Sequence, residues 1–471
     1  MLLRYFYDQK LAHASYMVGC QASGEAIVVD PGRDIELYLH EAEANDMQIV
    51  AVTETHIHAD FVSGARQLSE RTGARLHLSD EGTEDWKYGF LDGYDHCLLK
   101  DGDVFRVGNV EFEVMHTPGH TPEHISFLLT DKGSGADQPM GLFTGDFVFV
   151  GSIGRPDLLE KAAGIANTAV GAARQMFRSV QRFKQLPDYL QVWPAHGAGS
   201  ACGKGLGAVP SSTVGYEKMF NPAFAYEEEN AFVDYLMSDQ PEPPRYFGVM
   251  KRVNKEGPAI LREMPSAAHL PAERLPHLLV AGEQVVDTRV AGSYAERFMA
   301  GTINIPAQEL SSWAGWLVDY NRPLYLIVDS ADVQTALRDL NYIGVDDIRG
   351  YFETTALQTL AEAGHALRSY NVESPEGIAD AILRGEMLVV DIRNQTEWEE
   401  GHIPGARHIM LGYLAERSHE IVDGQPIVVQ CRSGNRSAIG ASVLLAQGAK
   451  DVINLQGGIR DWAKAGLPLE K

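Results

Sequence analysis

Short apolar runs set between turn residues alternate with stretches of helical spacing over residues 1 to about 220. Residues 26–30, 48–53 and 74–78 predict short buried strands, and 35–45 and 63–72 between them predict helices. Residues 104–114 predict a hairpin turning at Gly108-Asn109, with further strands over 124–130 and 141–149. A long amphipathic helix is expected over 168–186, then a last strand over 189–193 that enters a glycine-rich loop at 197–207. This is the pattern of helices packed outside two sheets. An acidic helix follows residue 220. The stretch Pro241-Glu242-Pro243-Pro244, with fixed φ angles and missing donors, marks the best boundary in the chain.

Beyond that break the chain repeats itself. Val285-Val286-Asp287-Thr288-Arg289 recurs as Val389-Val390-Asp391-Ile392-Arg393, and Gly301-Thr302-Ile303-Asn304-Ile305-Pro306 is echoed by Gly401-His402-Ile403-Pro404-Gly405-Ala406. The run 324–329 matches 427–431, and 344–350 matches 448–456. Strands alternating with helices in each copy imply two tandem α/β units with parallel sheets rather than a solenoid. Three domains are therefore expected, over 1–245, 246–360 and 361–471.

Composition narrows the function classes. The 471 residues are 45% hydrophobic and 22% charged, which gives several cores and excludes a disordered chain. A net charge of −24 repels phosphate backbones and anionic lipid, so neither nucleic acid nor membrane is expected as a partner. No leader segment or membrane-length apolar run is evident, and a cytoplasmic protein is expected. Four scattered cysteines, Cys20, Cys97, Cys202 and Cys431, do not make a disulfide framework. Cys20 and Cys97, beside apolar strands, are expected to be buried and silent.

The candidate chemistry sits at strand ends. Thr55-His56-Ile57-His58-Ala59-Asp60, Thr117-Pro118-Gly119-His120-Thr121, Phe143-Thr144-Gly145-Asp146 and Trp193-Pro194-Ala195-His196-Gly197 each follow an apolar strand. Each histidine alone would pass as an ordinary polar residue. Four such loops offering imidazole or carboxylate together describe a pocket for zinc or iron.

Over residues 1 to about 220 these motifs resemble the metallo-β-lactamase superfamily, which implies an αββα sandwich. Hydrolases of that superfamily end the first motif in Asp-His, the last histidine holding a second metal. Here the pair is Asp60-Phe61, and phenylalanine cannot ligate. The mononuclear iron branch, the persulfide dioxygenases, is the better resemblance, with Gly154-Arg155-Pro156-Asp157 completing its motif set. It implies one Fe(II) per chain on His56, His120 and Asp146, with His58, Asp60 and His196 orienting ligands or waters and His58 open as a ligand. Two imidazoles and one carboxylate leave three positions open for a substrate sulfur and O2. Arg155 reads either as a surface ion pair or as a clamp for the carboxylate of a peptide-like thiol. Tyr216 reads as core packing or substrate contact. Cys202, on a loop expected to be a mobile rim near Lys204, reads as an inert small residue or as an accessible sulfur relay.

In the last domain an apolar strand runs into Cys431-Arg432-Ser433-Gly434-Asn435-Arg436-Ser437 and a helix. A thiol between backbone N–H groups, Arg432, Arg436 and a helix N-terminus is placed to act as a nucleophile and to hold a persulfide. Residues 365–471 resemble rhodanese sulfurtransferases, whose pattern continues in Gly457-Gly458-Ile459-Arg460-Asp461-Trp462. Asp391 and Arg393 are expected to lock the fold. The middle copy has Asp329 where the last has Cys431, and so resembles an inactive rhodanese domain, a spacer or an oligomer contact. The expected architecture is the αββα sandwich followed by two rhodanese-like doubly wound α/β domains.

The order of parts resembles bacterial persulfide dioxygenase-sulfurtransferase fusions. It implies oxidation of a small-molecule persulfide by O2 to sulfite and thiol, coupled to thiosulfate formation or use at Cys431, in a homo-oligomer that serves sulfide detoxification. The rivals are a dinuclear zinc thioester hydrolase of the glyoxalase II type and a non-catalytic persulfide sensor.

Overall fold

A computed structural model describes residues 1–471 apart from 159, 161–167, 239, 241, 263–264 and 422–423. Pro241 of the expected break thus lies outside the described residues. The chain divides into two compact units, one of residues 1–263 with 342–344, the other of 264–341 with 345–471. Among the described residues no helix is long and apolar enough to cross a membrane.

The first unit holds two six-stranded sheets. In the first, β1 (Leu2–Asp8), β2 (His13–Cys20), β3 (Glu25–Val29), β4 (Gln48–Thr53), β5 (Arg75–Ser79) and β6 (His96–Leu99) lie in chain order. The sheet is antiparallel from β1 to β3 and parallel from β3 to β6. The second contains β7 (Val104–Val107), β8 (Val110–His116), β9 (Ile125–Asp131), β10 (Gly141–Gly145), β13 (Gln191–Pro194) and β14 (Ser212–Thr213), ordered β14-β13-β10-β9-β8-β7. Two short strands, β11 (Val148–Phe149) and β12 (Ser152–Ile153), pair with each other.

Strand β3 shows why its sequence is apolar throughout. Ala26 and Val28 enter the core that also holds Tyr38 and Leu68 of the helices Glu36–Ala44 and Ala65–Thr72, while Ile27 and Val29 enter the core with Phe112, Phe127 and Phe143 of the other sheet. A strand covered on both faces has no polar alternation. The helix Ala169–Phe183 covers the outside of the second sheet through Ala173, Met176, Val180 and Phe183, which completes the αββα sandwich. The expected hairpin is present, turning at Gly108-Asn109. The β1–β2 hairpin was not anticipated from the sequence, because tyrosines and short polar residues replace the aliphatic run.

This unit runs on past the break at 241–244. Asn254, in the helix Tyr246–Glu256, donates Nδ2 hydrogens to the carbonyls of His58 (2.8 Å) and Phe61 (2.7 Å) and accepts from the Ser63 N–H at 2.9 Å. A boundary at 245 would sever this clamp on the His56–Asp60 loop.

In the second unit the repeat becomes two parallel sheets. The middle copy orders β16 (Ile303–Asn304), β15 (Gln284–Asp287), β17 (Leu324–Ile327) and β18 (Ile348–Phe352) side by side. The last copy orders β21 (Arg407–His408), β20 (Leu388–Asp391), β22 (Ile427–Gln430) and β23 (Val452–Leu455) the same way, with β19 (Asn371–Glu373) added at the edge. The repeated Asp-x-Arg is a lock in both. Asp287 receives Arg289 Nη2 at 2.7 Å while that guanidinium also donates to the Arg297 carbonyl at 2.8 Å. Asp391 receives Arg393 Nη2 at 2.6 Å, which donates on to the Gly401 carbonyl at 2.8 Å.

Candidate metal centre and sulfur site

Each proposed ligand stands just beyond the carboxyl end of a strand, His56 after β4, His120 after β8 and Asp146 after β10, and His196 likewise follows β13. Loops at those ends converge because the two sheets face each other there. His120 Nε2 lies 3.3 Å and His56 Nε2 3.9 Å from Asp146 Oδ2. The three donor atoms fall within 4.8 Å of one another and all three residues are buried. His56 Nε2 and both Asp146 oxygens make no hydrogen bond despite that burial. Burial of such groups without a partner is costly, and a cation is the partner that satisfies imidazole lone pairs and a carboxylate together. The donor set thus fits a metal ion.

Outer contacts fix the tautomers. The strained Asp30 backbone, with φ at +51°, aims the carboxylate so that Oδ1 accepts from the Thr55 N–H at 2.7 Å and Oδ2 from the Thr55 hydroxyl at 3.0 Å. With its proton given to Asp30, Thr55 Oγ1 accepts from His56 Nδ1 at 3.0 Å, which leaves the Nε2 lone pair for a metal. His120 Nδ1 donates to the Arg155 carbonyl at 3.0 Å, with the same result, while His196 Nδ1 donates to the Ala12 carbonyl at 3.0 Å and turns its Nε2 toward carboxylates. Burial keeps His56 and His120 below the usual histidine range, in the neutral form that ligates.

His58 departs from the ligand set. Its Nε2 is held 3.0 Å from Asp30 Oδ1. Burial opposes its protonation, but Asp30 raises its pKa to about 9, while its buried Nδ1 makes no hydrogen bond. Asp60 and His196 sit on the other side of Asp146. His196 Nε2 is 3.1 Å from Asp60 Oδ2 and 3.4 Å from Asp146 Oδ1. Burial works against the Asp60 carboxylate, yet His196 holds it well below the ordinary carboxylate range. Phe61, fully buried, packs at a tilt against His13, with ring centroids 3.8 Å apart, and against His58, at 4.5 Å, and fills the place next to Asp60 with carbon.

Two rim residues are relocated by the structure. Cys202 is only 2% exposed and groups with Asp60 and His196, not with solvent. Burial first, then the carboxylates of Asp146 and Asp60, pushes its thiol up to about 12, so it is neither accessible nor a ready thiolate. Lys204 is turned away to the Tyr235 carbonyl at 2.9 Å. Arg155 is fully buried, and its Nε and Nη2 meet the two Asp157 oxygens at 2.7 Å each. Nη1 donates to the Ala201 carbonyl at 3.2 Å, tying the 152–157 segment to the glycine-rich loop. It is neither a surface ion pair nor an open carboxylate clamp. Arg155→Met removes the forked guanidinium from the buried Asp157 carboxylate and is expected to cost about 3–5 kcal/mol, read as a lower denaturant midpoint. Tyr216 is half exposed and packs on Phe220 at 4.8 Å, away from the core.

A second buried acid gives the unit a pH signature. Glu123 Oε1 accepts from the Ile57 N–H at 2.8 Å, Oε2 has no partner, and burial lifts the carboxyl to about 7. The fold therefore favours protonated Glu123. That contribution is complete below the ordinary value of 4.5 and is lost as pH rises through 7. Glu123→Gln is expected to leave melting unchanged near pH 4.5 and to stabilise the protein at pH 8, by about 3 kcal/mol at most.

Sequence reasoning missed Asp30, His13, Asn254 and His124, all buried around these loops. A positive φ at a non-glycine residue marks Asp30 only once coordinates exist, and His124, three residues from Thr121 in an obvious motif, was hidden as the start of a strand.

In the second unit Cys431 follows β22 and is fully buried. Its Sγ accepts from the backbone N–H of Gly434 (3.2 Å) and of Ser437 (3.4 Å), with Ser437 Oγ also at 3.4 Å. Gly434, at φ +95°, turns the chain into the helix Asn435–Ala446. The expected pair of arginines does not close on the sulfur. Arg432 is exposed, and Arg436 forks onto Glu397 with both contacts at 2.7 Å. The cradle is made by the two backbone N–H donors, the Ser437 hydroxyl giving its own proton to Asn454 Oδ1 at 2.6 Å, and Arg436 supports it through Glu397, which also accepts from the Asn394 N–H at 3.2 Å. In the middle copy Asp329 is exposed and accepts from the Thr354 hydroxyl, and the Asp332 N–H bonds the Asp329 carbonyl at 2.8 Å to start the next helix, so no loop of inward donors forms.

Comparison with known proteins agrees with this division. The metallo-beta-lactamase superfamily model matches residues 9–196, and the rhodanese-like domain model matches residues 374–465. The crystal structure of a metallo-beta-lactamase from Staphylococcus aureus is 42% identical, with a TM-score of 0.68, covering 75% of this chain and 99% of that one. A beta-lactamase hydrolase-like protein of Xylella fastidiosa is 29% identical over 255 residues, 48% of this chain; the chain spans 53% of that protein's length. The hydroxyacylglutathione hydrolase GloC of Haemophilus influenzae is 27% identical over 210 residues, 42% of this chain and 86% of its own. With its paired sheets, strand-end ligand loops and C-terminal rhodanese-like domain, this chain belongs to the metallo-beta-lactamase superfamily.

Proposed function

We propose that the protein is a mononuclear iron persulfide dioxygenase joined to a sulfurtransferase. The observation that carries this reading is the convergence of His56, His120 and Asp146, in a chain whose first motif ends in Asp60-Phe61 where a dinuclear hydrolase would have a further histidine. Bound there, Fe(II) supplies open positions and electrons for joining O2 to a sulfur, which with water turns RSS(−) into RSH, sulfite and a proton. The chain's own groups do the rest. Thr55 and the Arg155 carbonyl hold the two imidazoles in the ligating tautomer, and the His196–Asp60 pair, next to Asp146, supplies the proton that the released thiolate takes up. Phe61, Phe149 and His13 wall the site with apolar or neutral surface. In the last domain Cys431 takes a sulfane sulfur and its N–H cradle holds the resulting persulfide, which sulfite removes as thiosulfate, or the reverse.

Dissolved oxygen followed by electrode, with Fe(II)-loaded protein and glutathione persulfide, tests the reading. Uptake matched by sulfite supports it. No uptake from metallated protein with intact persulfide sinks it and moves the case to the zinc thioester-hydrolase rival; the Haemophilus relative is named as a hydrolase.

A further inference from the structure

We infer that His124, a residue outside the ligand set, is the positioning residue that holds all three ligand loops in register; this rests on the His56, His120 and Asp146 reading of the metal site. One ring touches each loop. Its Nε2 accepts from the Asp146 backbone N–H at 3.0 Å. Since Nε2 is the acceptor, the ring proton sits on Nδ1, which donates to Thr117 Oγ1 at 2.8 Å, in the loop that carries His120. The Thr117 hydroxyl passes its own proton to Ser126 Oγ at 2.9 Å. The face of the ring lies against His56, with centroids 5.1 Å apart and planes 30° from parallel. The backbone follows the same plan. Thr117 N–H donates to the His124 carbonyl at 2.9 Å, and the next residue, Ile125, donates to the carbonyl of Thr55, which precedes His56, at 2.8 Å.

His124 cannot itself ligate, because both ring nitrogens are spent inside the protein and the ring is fully buried. What it fixes is the distance between the loops. Gly145, at φ +50°, leaves the gap the ring enters: a Cβ there would lie 2.6 Å from His124 Nε2 and 2.4 Å from Thr55 Oγ1. The glycine and the histidine are thus two halves of one contact, and it sets where the Asp146 carboxylate meets the two imidazoles. Partners one step out from the ligands tune metal affinity by 10–100-fold in other metalloproteins.

The test uses the full-length protein with Co(II), whose visible absorption bands report ligand geometry whether or not the protein proves to be an iron oxygenase. His124→Phe keeps a ring against His56 and deprives the Asp146 N–H of its acceptor. His124→Gln returns an acceptor at the position of Nε2. The expected result is Co(II) affinity lowered by roughly 10–100-fold with shifted bands in His124→Phe, and affinity and spectrum largely restored in His124→Gln. Co(II) binding and bands like wild type in His124→Phe would overturn the inference. So would equal loss of affinity in both variants accompanied by equal loss of metal-free melting temperature, since that is the mark of a residue that only packs. Failure of oxygen uptake with the Co(II) pattern as expected would count against the dioxygenase and leave the role of His124 standing.

Discussion

Asp146→Ala is expected to abolish oxygen uptake and metal retention together. Asp146 is the one anionic member of the triad, it is fully buried, and neither of its oxygens makes a hydrogen bond in the protein. Removing it leaves two neutral imidazoles, which lack the charge to keep a dication in a dry pocket. The loss should exceed the roughly 100-fold that outer partners cost. Metal content after dialysis and the oxygen electrode measure the two effects. Sulfur transfer by Cys431, in the other compact unit, should be unchanged in the same preparation, which separates loss of the site from loss of the fold. Persisting uptake in this variant would place the chemistry elsewhere.

The second large effect is expected from Cys431→Ser. The hydroxyl accepts the same N–H bonds from Gly434 and Ser437 but is a far weaker nucleophile and cannot carry a sulfane sulfur. Thiocyanate formation from thiosulfate and cyanide should fall to background, and the intact protein should no longer gain the mass of one sulfur atom when exposed to thiosulfate. Oxygen uptake with glutathione persulfide should remain. Arg436→Lys is a sharper probe of the corrected geometry. A lysine cannot fork onto Glu397, so the cradle should loosen and the transfer rate should fall although the charge is kept.

Much of this architecture was legible because period and punctuation carry it. Alternating short strands and helices, the strand-end His and Asp motifs, the recurrence of Val-Val-Asp-x-Arg and the Cys431 loop are all local features, and the family matches and sheet orders agree with them. What was not legible depends on direction and depth. His58 and His56 are two residues apart in one loop, and the Asp30 carboxylate, held by a strained backbone on another strand end, engages the Nε2 of His58 and not that of His56. Cys202 sits among glycines that read as exposed, but Arg155 pulls that loop inward through the Ala201 carbonyl. Arg436 was assigned to the sulfur because it is near in sequence, while its partner Glu397 comes from a helix in an earlier part of the domain. The β1–β2 hairpin lacks an aliphatic alternation and is held by pairing along its whole length, from Leu2 opposite Gly19 to Asp8 opposite His13.

The paired Asp-x-Arg locks bear on how the two copies tolerate change. Asp287 with Arg289 and Asp391 with Arg393 pin the same corner in both sheets, although a sulfur nucleophile stands beside only one of them. Geometry and reactivity are therefore carried by different residues within each copy. The middle copy, which has no thiol at 329, should tolerate substitution across 329–332 better than at 287 and 289. Such a copy is a ready recipient for a transplanted thiol loop, since the corner that would have to carry it is already built.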